Sequence, residues 1–155
     1  MNAPARPIIV LVVDDDPGDV LLIQEALELT GHTQTVHVAS DGQEAMAFLG
    51  RAGTYADAPR PDVILLDLNM PRKNGRQVLA EIKEQPHLST IPILVFTTSR
   101  DPEDVRTSYA LHANAYVTKP INLDDFTTAV QRIADFFTQV VTLPSETTGP
   151  APVLS

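Results

Sequence analysis

The sequence predicts an α/β domain built from repeated βα units around a parallel sheet. Three observations carry that prediction. Short β-branched runs alternate with segments of helical period, the pattern of parallel strands joined by crossover helices. The 155 residues, 43% of them hydrophobic, suffice for one domain with a full core. Finally, four apolar runs stop at a polar residue suited to one chemistry. Ile8–Val13 runs into Asp14, Asp15 and Asp16, Val63–Leu66 into Asp67, Ile93–Phe96 into Thr97, and Ala115–Thr118 into Lys119. As parallel strands of one sheet they bring a carboxylate cluster, a lone carboxylate, a hydroxyl and an ammonium to one edge. Ligands of open α/β sheets bind at that edge.

Residues 7–13 are the first strand. Asp16 before Pro17 is a helix start, a capping carboxylate followed by proline at the first helical position. Val20, Leu21, Ile23, Ala26 and Leu27 give this helix its apolar face, and Thr30-Gly31 ends it. Val36 to Ala39 is a second, shorter strand, and Asp41-Gly42 turns into a helix carrying Ala45, Phe48 and Leu49. Residues 50–61 have no period and several breakers, so they read as a long loop, functional or flexible. The third strand leads through a loop to a helix over residues 75–85, with Val78, Leu79 and Ile82 inward. Asp101-Pro102-Glu103-Asp104 starts the fourth helix by the same cap-then-proline logic. After the last strand, Lys119-Pro120 forms a tight turn where a cis proline is expected to aim Lys119 at the site. The last helix spans about residues 122–141, with Leu123, Phe126, Val130, Ile133, Phe137 and Val140 stepping by threes and fours. From Pro144 the tail is expected to be disordered, leaving residues 7–143 as the folded domain.

Twenty acidic against 11 basic residues give a net charge of −9. That argues against non-specific binding to nucleic acid or to a membrane, both of which select positive surfaces. The absence of cysteine excludes disulfides and thiolate metal sites. No apolar run is long enough to cross a bilayer, and no charged-then-apolar leader opens the chain, so a cytoplasmic location is expected.

Packed carboxylates such as Asp14, Asp15 and Asp16 repel one another unless a cation neutralises them. Mg2+ prefers oxygen ligands and often takes one or two carboxylates plus phosphate oxygens. The plainer reading is a solvated turn with a helix cap, which accounts for Asp16 and also for Asp19. Asp67 follows four consecutive aliphatics, so it ends a buried strand before the loop from Leu68 to Gly75. There it can be a metal ligand, a base, a nucleophile or a cap on a nearby amide. As a nucleophile it would attack phosphorus and become an acyl phosphate, with Mg2+ and Lys119 neutralising charge. Thr97 can donate its hydroxyl to a phosphoryl oxygen or be an ordinary strand threonine. Lys119 is a compact point charge on a long stem, and alone it reads as a surface lysine.

Taken together, the acidic cluster, the Leu65-Leu66-Asp67-Leu68-Asn69-Met70-Pro71 segment ending in Gly75, the Thr97-Thr98-Ser99 segment and the Tyr116-Val117-Thr118-Lys119-Pro120 segment stand in one familiar order. Over residues 7 to about 140 the chain resembles the CheY-like receiver domains of two-component response regulators. The resemblance implies a doubly wound, flavodoxin-like (βα)5 fold with a five-stranded parallel sheet in the order 2-1-3-4-5. It also implies roles. Asp67 is the phosphoacceptor, and Asp14 and Asp15 are the acidic pair holding Mg2+, with Asp67 and the Asn69 backbone carbonyl as further ligands. Thr97 senses the phosphoryl group and Lys119 binds it. Tyr116 is the aromatic switch that turns as Thr97 moves, the plainer reading being a half-buried strand aromatic. Asp16 has no assigned role beyond capping. The loop with Tyr55-Ala56-Asp57-Ala58-Pro59-Arg60-Pro61 and the end from Phe136 to Pro144 resemble the single-domain regulators paired with bacterial phytochromes and similar sensor histidine kinases.

On that resemblance the chain is a phosphoacceptor rather than a turnover enzyme. A histidine kinase presents phosphohistidine, and output runs through a partner protein, onward relay or self-association, since no output domain is expected after the tail. Arg76, Lys83, Asn69 and Ser99 are candidates to influence kinase docking or dephosphorylation. Phe136, Val140 and Leu143 make a second apolar stripe on the last helix, to be covered by a second copy as a homodimer or by the chain's own tail. Two other classes stay open. A Mg2+-dependent phosphohydrolase of similar architecture would use Asp14 or Asp16 as nucleophile and leave Asp67 dispensable. A pseudo-receiver would bind partners without phosphorylation. A flavin mononucleotide carrier is disfavoured, because three acids after the first strand repel phosphate.

Overall fold

The computed structural model describes residues 7–144. The elements are β1 (Ile8–Val13), α1 (Pro17–Leu29), β2 (Gln34–Ala39), α2 (Gly42–Leu49), β3 (Val63–Leu66), α3 (Gly75–Glu84), β4 (Ile93–Thr97), α4 (Pro102–Ala110), β5 (Ala115–Thr118) and α5 (Leu123–Asp135). The strands pair in parallel as one sheet ordered β2-β1-β3-β4-β5, as the resemblance implied.

Alternating strand residues serve two cores. Leu11, Val13, Ile64, Leu66, Ile93 and Val95 pack with Ala45 and Phe48 of α2 and Val78, Leu79 and Ile82 of α3. Val10, Val12, Val63, Leu65, Leu94 and Phe96 pack with Ile23, Ala26 and Leu27 of α1 and Phe126 and Val130 of α5. A strand covered on both faces needs apolar residues at every position, hence the unbroken runs at β1, β3 and β4. Each of the five α-helices starts at an Asp or Asn whose side chain accepts a first-turn backbone N–H: Asp16, Asp41, Asn74, Asp101 and Asn122. In this chain order those starts follow the strands' carboxyl ends, so polar groups collect at one edge.

Several expectations need correction. β2 begins at Gln34, two residues early, because an edge strand tolerates polar side chains such as exposed Thr35. Leu21 is 54% exposed, while its neighbours Val20 and Leu22 pack against the core. Loop 50–61 is pinned rather than loose: Gly53–Tyr55 forms a 3-10 turn, and the Tyr55 hydroxyl donates to Glu44 Oε1 at 2.8 Å. The last helix is α-helical only to Asp135 and continues as a π turn, Phe136–Val140. That turn carries an extra residue, which breaks the 3.6 period. Val140 is therefore 70% exposed, while Phe137 is buried and Val141 and Leu143 fold against the core. Leu123, the first helical residue, is exposed beyond the sheet. Of the tail expected to be disordered, residues 145–155 lie outside the described residues.

Candidate functional site

Backbone bonds carry the sheet one residue past its strands. The Asp14 amide donates to the Ala39 carbonyl (3.0 Å), that of Asp67 to the Val13 carbonyl (2.9 Å) and that of Lys119 to the Thr97 carbonyl (2.7 Å). Three site residues are thus held relative to β1, β2 and β4 by the ladder itself. No cis peptide bond occurs among the described residues. The expected cis proline is absent, and Lys119 reaches the site because its amide is clamped to β4.

The side chains converge on Lys119. Its Nζ donates to Asp14 Oδ2 at 2.7 Å, Asp19 Oδ2 at 2.8 Å and Asp67 Oδ2 at 3.0 Å. Far from being a surface lysine, it is 3% exposed, and Asp14 and Asp67 are also buried. Buried charges are tolerated when paired and fully hydrogen-bonded, and here the outer oxygens are met as well. Asp14 Oδ1 accepts the Asp16 amide at 2.9 Å, and Asp67 Oδ1 accepts the Asn69 amide at 3.2 Å. The ammonium also lies 5.9 Å from the Phe96 ring centroid, within cation–π range. Burial pushes the Asp14 carboxyl above its usual pKa, although Lys119 and the Asp16 amide pull the other way. For Lys119, burial works against the charge, but the hydrogen bonds to Asp14 and Asp19 and the surrounding acids hold its pKa well above the ordinary lysine range.

Asp15 is exposed, and Asp14, Asp15 and Asp67 each bring one carboxylate oxygen within 4.8 Å of the others. One ammonium does not balance that much negative charge, and three hard oxygen donors suit a small divalent cation. Thr97 is fully buried, and its hydroxyl has no hydrogen-bond partner. Leaving such a group unsatisfied costs about 1–3 kcal/mol, so the hydroxyl is a donor that an added acceptor oxygen would satisfy. The residues present therefore fit a divalent cation together with an anionic oxygen group.

Tyr116 is half-buried, and its hydroxyl donates to the Ser99 carbonyl at 2.9 Å. The Ser99 hydroxyl donates to Asp104 Oδ2 at 2.5 Å, and Arg76 pairs with the other Asp104 oxygen. The Ser99 hydrogen bond and then Arg76 hold the Asp104 carboxyl below its usual pKa, while burial raises that of Tyr116. Arg76, Ser99 and Tyr116 thus share one network joining α3, the loop after β4, α4 and β5. Lys83 does not: its Nζ donates to the Ser89 and Ile91 carbonyls and to Asn114 Oδ1, before the amino ends of β4 and β5. Asn69 is exposed in the loop after Asp67, and Asp16 accepts the Gly18 and Asp19 amides as a cap. Asp19, expected in solvent, is instead a partner of Lys119. The available signal was its place in the first turn of α1, above the sheet edge. Gly75 is required by close approach, since a Cβ there would run into the Asp67 carbonyl and the Leu68 Cα.

Comparisons with known proteins agree with this geometry. Residues 10–131 match the response regulator receiver domain. The chain is 48% identical over 139 residues to response regulator Rcp1 of Synechocystis sp., covering 90% of this chain and 95% of that protein. It superposes on the phosphorylated cyanobacterial phytochrome response regulator RcpA with a TM-score of 0.87 at 47% identity, covering 90% of this chain and 99% of that one. For the Mn2+-bound form of Rcp1 the TM-score is 0.86 at 47% identity, covering 90% and 100%. The match runs from β1 into α5 and takes in every residue that converges on Lys119, so the chain belongs to the response regulator receiver family, with phytochrome response regulators among its relatives.

Proposed function

We propose that Asp67 accepts a phosphoryl group from a sensor histidine kinase of the phytochrome type. The observation that carries this reading is the Lys119 ammonium, held between Asp14 and Asp67 with the unpartnered Thr97 hydroxyl at the end of β4. An Asp67 oxygen forms the new P–O bond as the P–N bond to the kinase imidazole breaks. The bonding pair leaves with the ring nitrogen, and the product is an acyl phosphate. Asp14, Asp15, Asp67 and the Asn69 backbone carbonyl would hold Mg2+, which when bound neutralises phosphoryl charge. Lys119 neutralises more of it. The modification adds about −1.5 to −2 charges. Thr97 donates to one of the new oxygens, and the segment from Thr97 to Ser99 moves with it. Tyr116, bonded to the Ser99 carbonyl, carries that movement to the surface around α4.

The phytochrome pairing is supported by the relatives, two of which are phytochrome or bacteriophytochrome response regulators. Output is a changed protein-binding surface. Phe136 and Val140 remain exposed on the π turn, and we assign them to a homodimer face, with the tail segment around Leu143 folded onto its own domain. The setting is the cytoplasm, and no described helix is long and apolar enough to cross a membrane. The phosphohydrolase reading loses support because the receiver match takes in Asp67, Thr97 and Lys119 together with the acids after β1, and because Asp16 is used as the cap of α1.

Phosphotransfer tests the proposal. An autophosphorylated phytochrome histidine kinase should lose its label to this chain in Mg2+ and not to Asp67→Asn. Transfer to Asp67→Asn at the wild-type rate removes Asp67 from the mechanism.

A further inference from the structure

We propose that Asp19 is a positioning residue that holds Lys119 in the resting site and releases it to the phosphoryl group. The inference rests on Asp67 as the acceptor. A lysine ammonium has three N–H donors, and Asp14, Asp19 and Asp67 take all three. A phosphoryl oxygen that accepts from Lys119 therefore replaces one of them.

The three acceptors are not equivalent. Asp14 is buried, and its second oxygen is tied to the Asp16 amide in the turn between β1 and α1. Asp67 is buried, is tied to the Asn69 amide, and carries the incoming group itself. Asp19 has a side chain 25% exposed, so its carboxylate regains water on release. It also stands in the first turn of α1, where the helix terminus favours an anion whether or not Lys119 is present. Release is least costly there. In the resting site Asp19 occupies the donor that the phosphoryl oxygen needs, so it weakens retention of the phosphoryl group. It also makes the start of α1 sensitive to the state of Asp67.

Beryllofluoride, a phosphoryl mimic, tests this in the full chain with Mg2+. Its affinity is measured for the wild type, Asp19→Asn and Asp16→Asn, and the structure of the wild-type complex is determined. Asp16→Asn removes the same charge from the same helix start while keeping a capping side chain, so it measures the general charge effect. Asp19→Asn is expected to bind about five-fold more tightly than the wild type, with Asp16→Asn changed less than about two-fold. In the complex, Lys119 Nζ and the Asp19 carboxylate are expected to lie beyond hydrogen-bonding distance. The proposal is overturned if Asp19→Asn binds no more tightly than Asp16→Asn, or if Lys119 keeps Asp19 in the complex and gives up another partner. A wild type that binds no beryllofluoride brings down the Asp67 reading as well, whereas a wild type that binds without the Asp19 effect brings down this inference alone.

Discussion

The Lys119 ammonium lies 3.0 Å from the Asp67 carboxylate, 52 residues away in the sequence. The contact joins the end of β5 to the end of β3 across β4, whose own last residue, Thr97, sits between them in the sheet order. It is why a resting carboxylate can stay buried at this edge, and it places the cation that a transferred phosphoryl group would meet.

Thr97→Val keeps the shape of the side chain and removes an unpartnered buried hydroxyl. The free protein should gain about 1 kcal/mol, read as a rise in melting temperature of about 2–4 °C for a domain of this size. Beryllofluoride affinity should fall in the same variant. A loss of stability in the free protein would mean that the hydroxyl is already satisfied.

Asp14→Asn should stabilise the protein at neutral pH when divalent cations are removed. Burial raises the folded-state pKa of Asp14 above its usual 3.8. The neutral carboxyl is thus the form the fold prefers: its contribution is fully present below pH 3.8 and is lost as pH rises through the raised value. The advantage of the variant should be largest at pH 7 and shrink on acidification, as followed by urea unfolding in EDTA. A gain independent of pH would separate it from Asp14 ionisation. Because a cation binds the ionised form, Mg2+ affinity of the wild type should weaken on acidification through the same range.

Gly75→Ala forces a methyl group against the Asp67 carbonyl and Leu68. Urea unfolding should show a loss of about 1–3 kcal/mol, accompanied by slower phosphoryl uptake, since the displaced backbone carries the acceptor. Stability and uptake both at the wild-type level would show that the loop yields freely.

Replacing both Phe136 and Val140 with Asp tests the assembly surface. Sedimentation should find the wild type as a dimer and the variant as a monomer with unchanged circular dichroism. A wild type that stays monomeric at every concentration would refute the assignment.

Much of this was legible because β1, β3 and β4 are covered on both faces and read as unbroken apolar runs. The residues ending them, Asp14, Asp67 and Thr97, followed directly, as did Lys119 after β5. The edge strand β2 was less legible, since Gln34 and Thr35 need not be apolar there. The π turn was invisible to a search for the 3.6 period, so Val140 was read on both the core-facing and the second stripe, of which only the exposed placement holds, and Leu143 was read on the second stripe although it packs on the core. Contacts distant in sequence were the hardest. Nothing local links Asp19 to Lys119, or Arg76 to Asp104, because each pair meets only once the strand order is fixed.

The central claim is that Asp67 is the acceptor, and intact mass after incubation with a small phosphodonor tests it most directly. With Mg2+ the wild type should gain a single phosphoryl adduct that is lost without the metal and absent from Asp67→Asn. An adduct that persists in Asp67→Asn, or rapid release of free phosphate by that variant, would contradict the account and return the chemistry to the acids after β1.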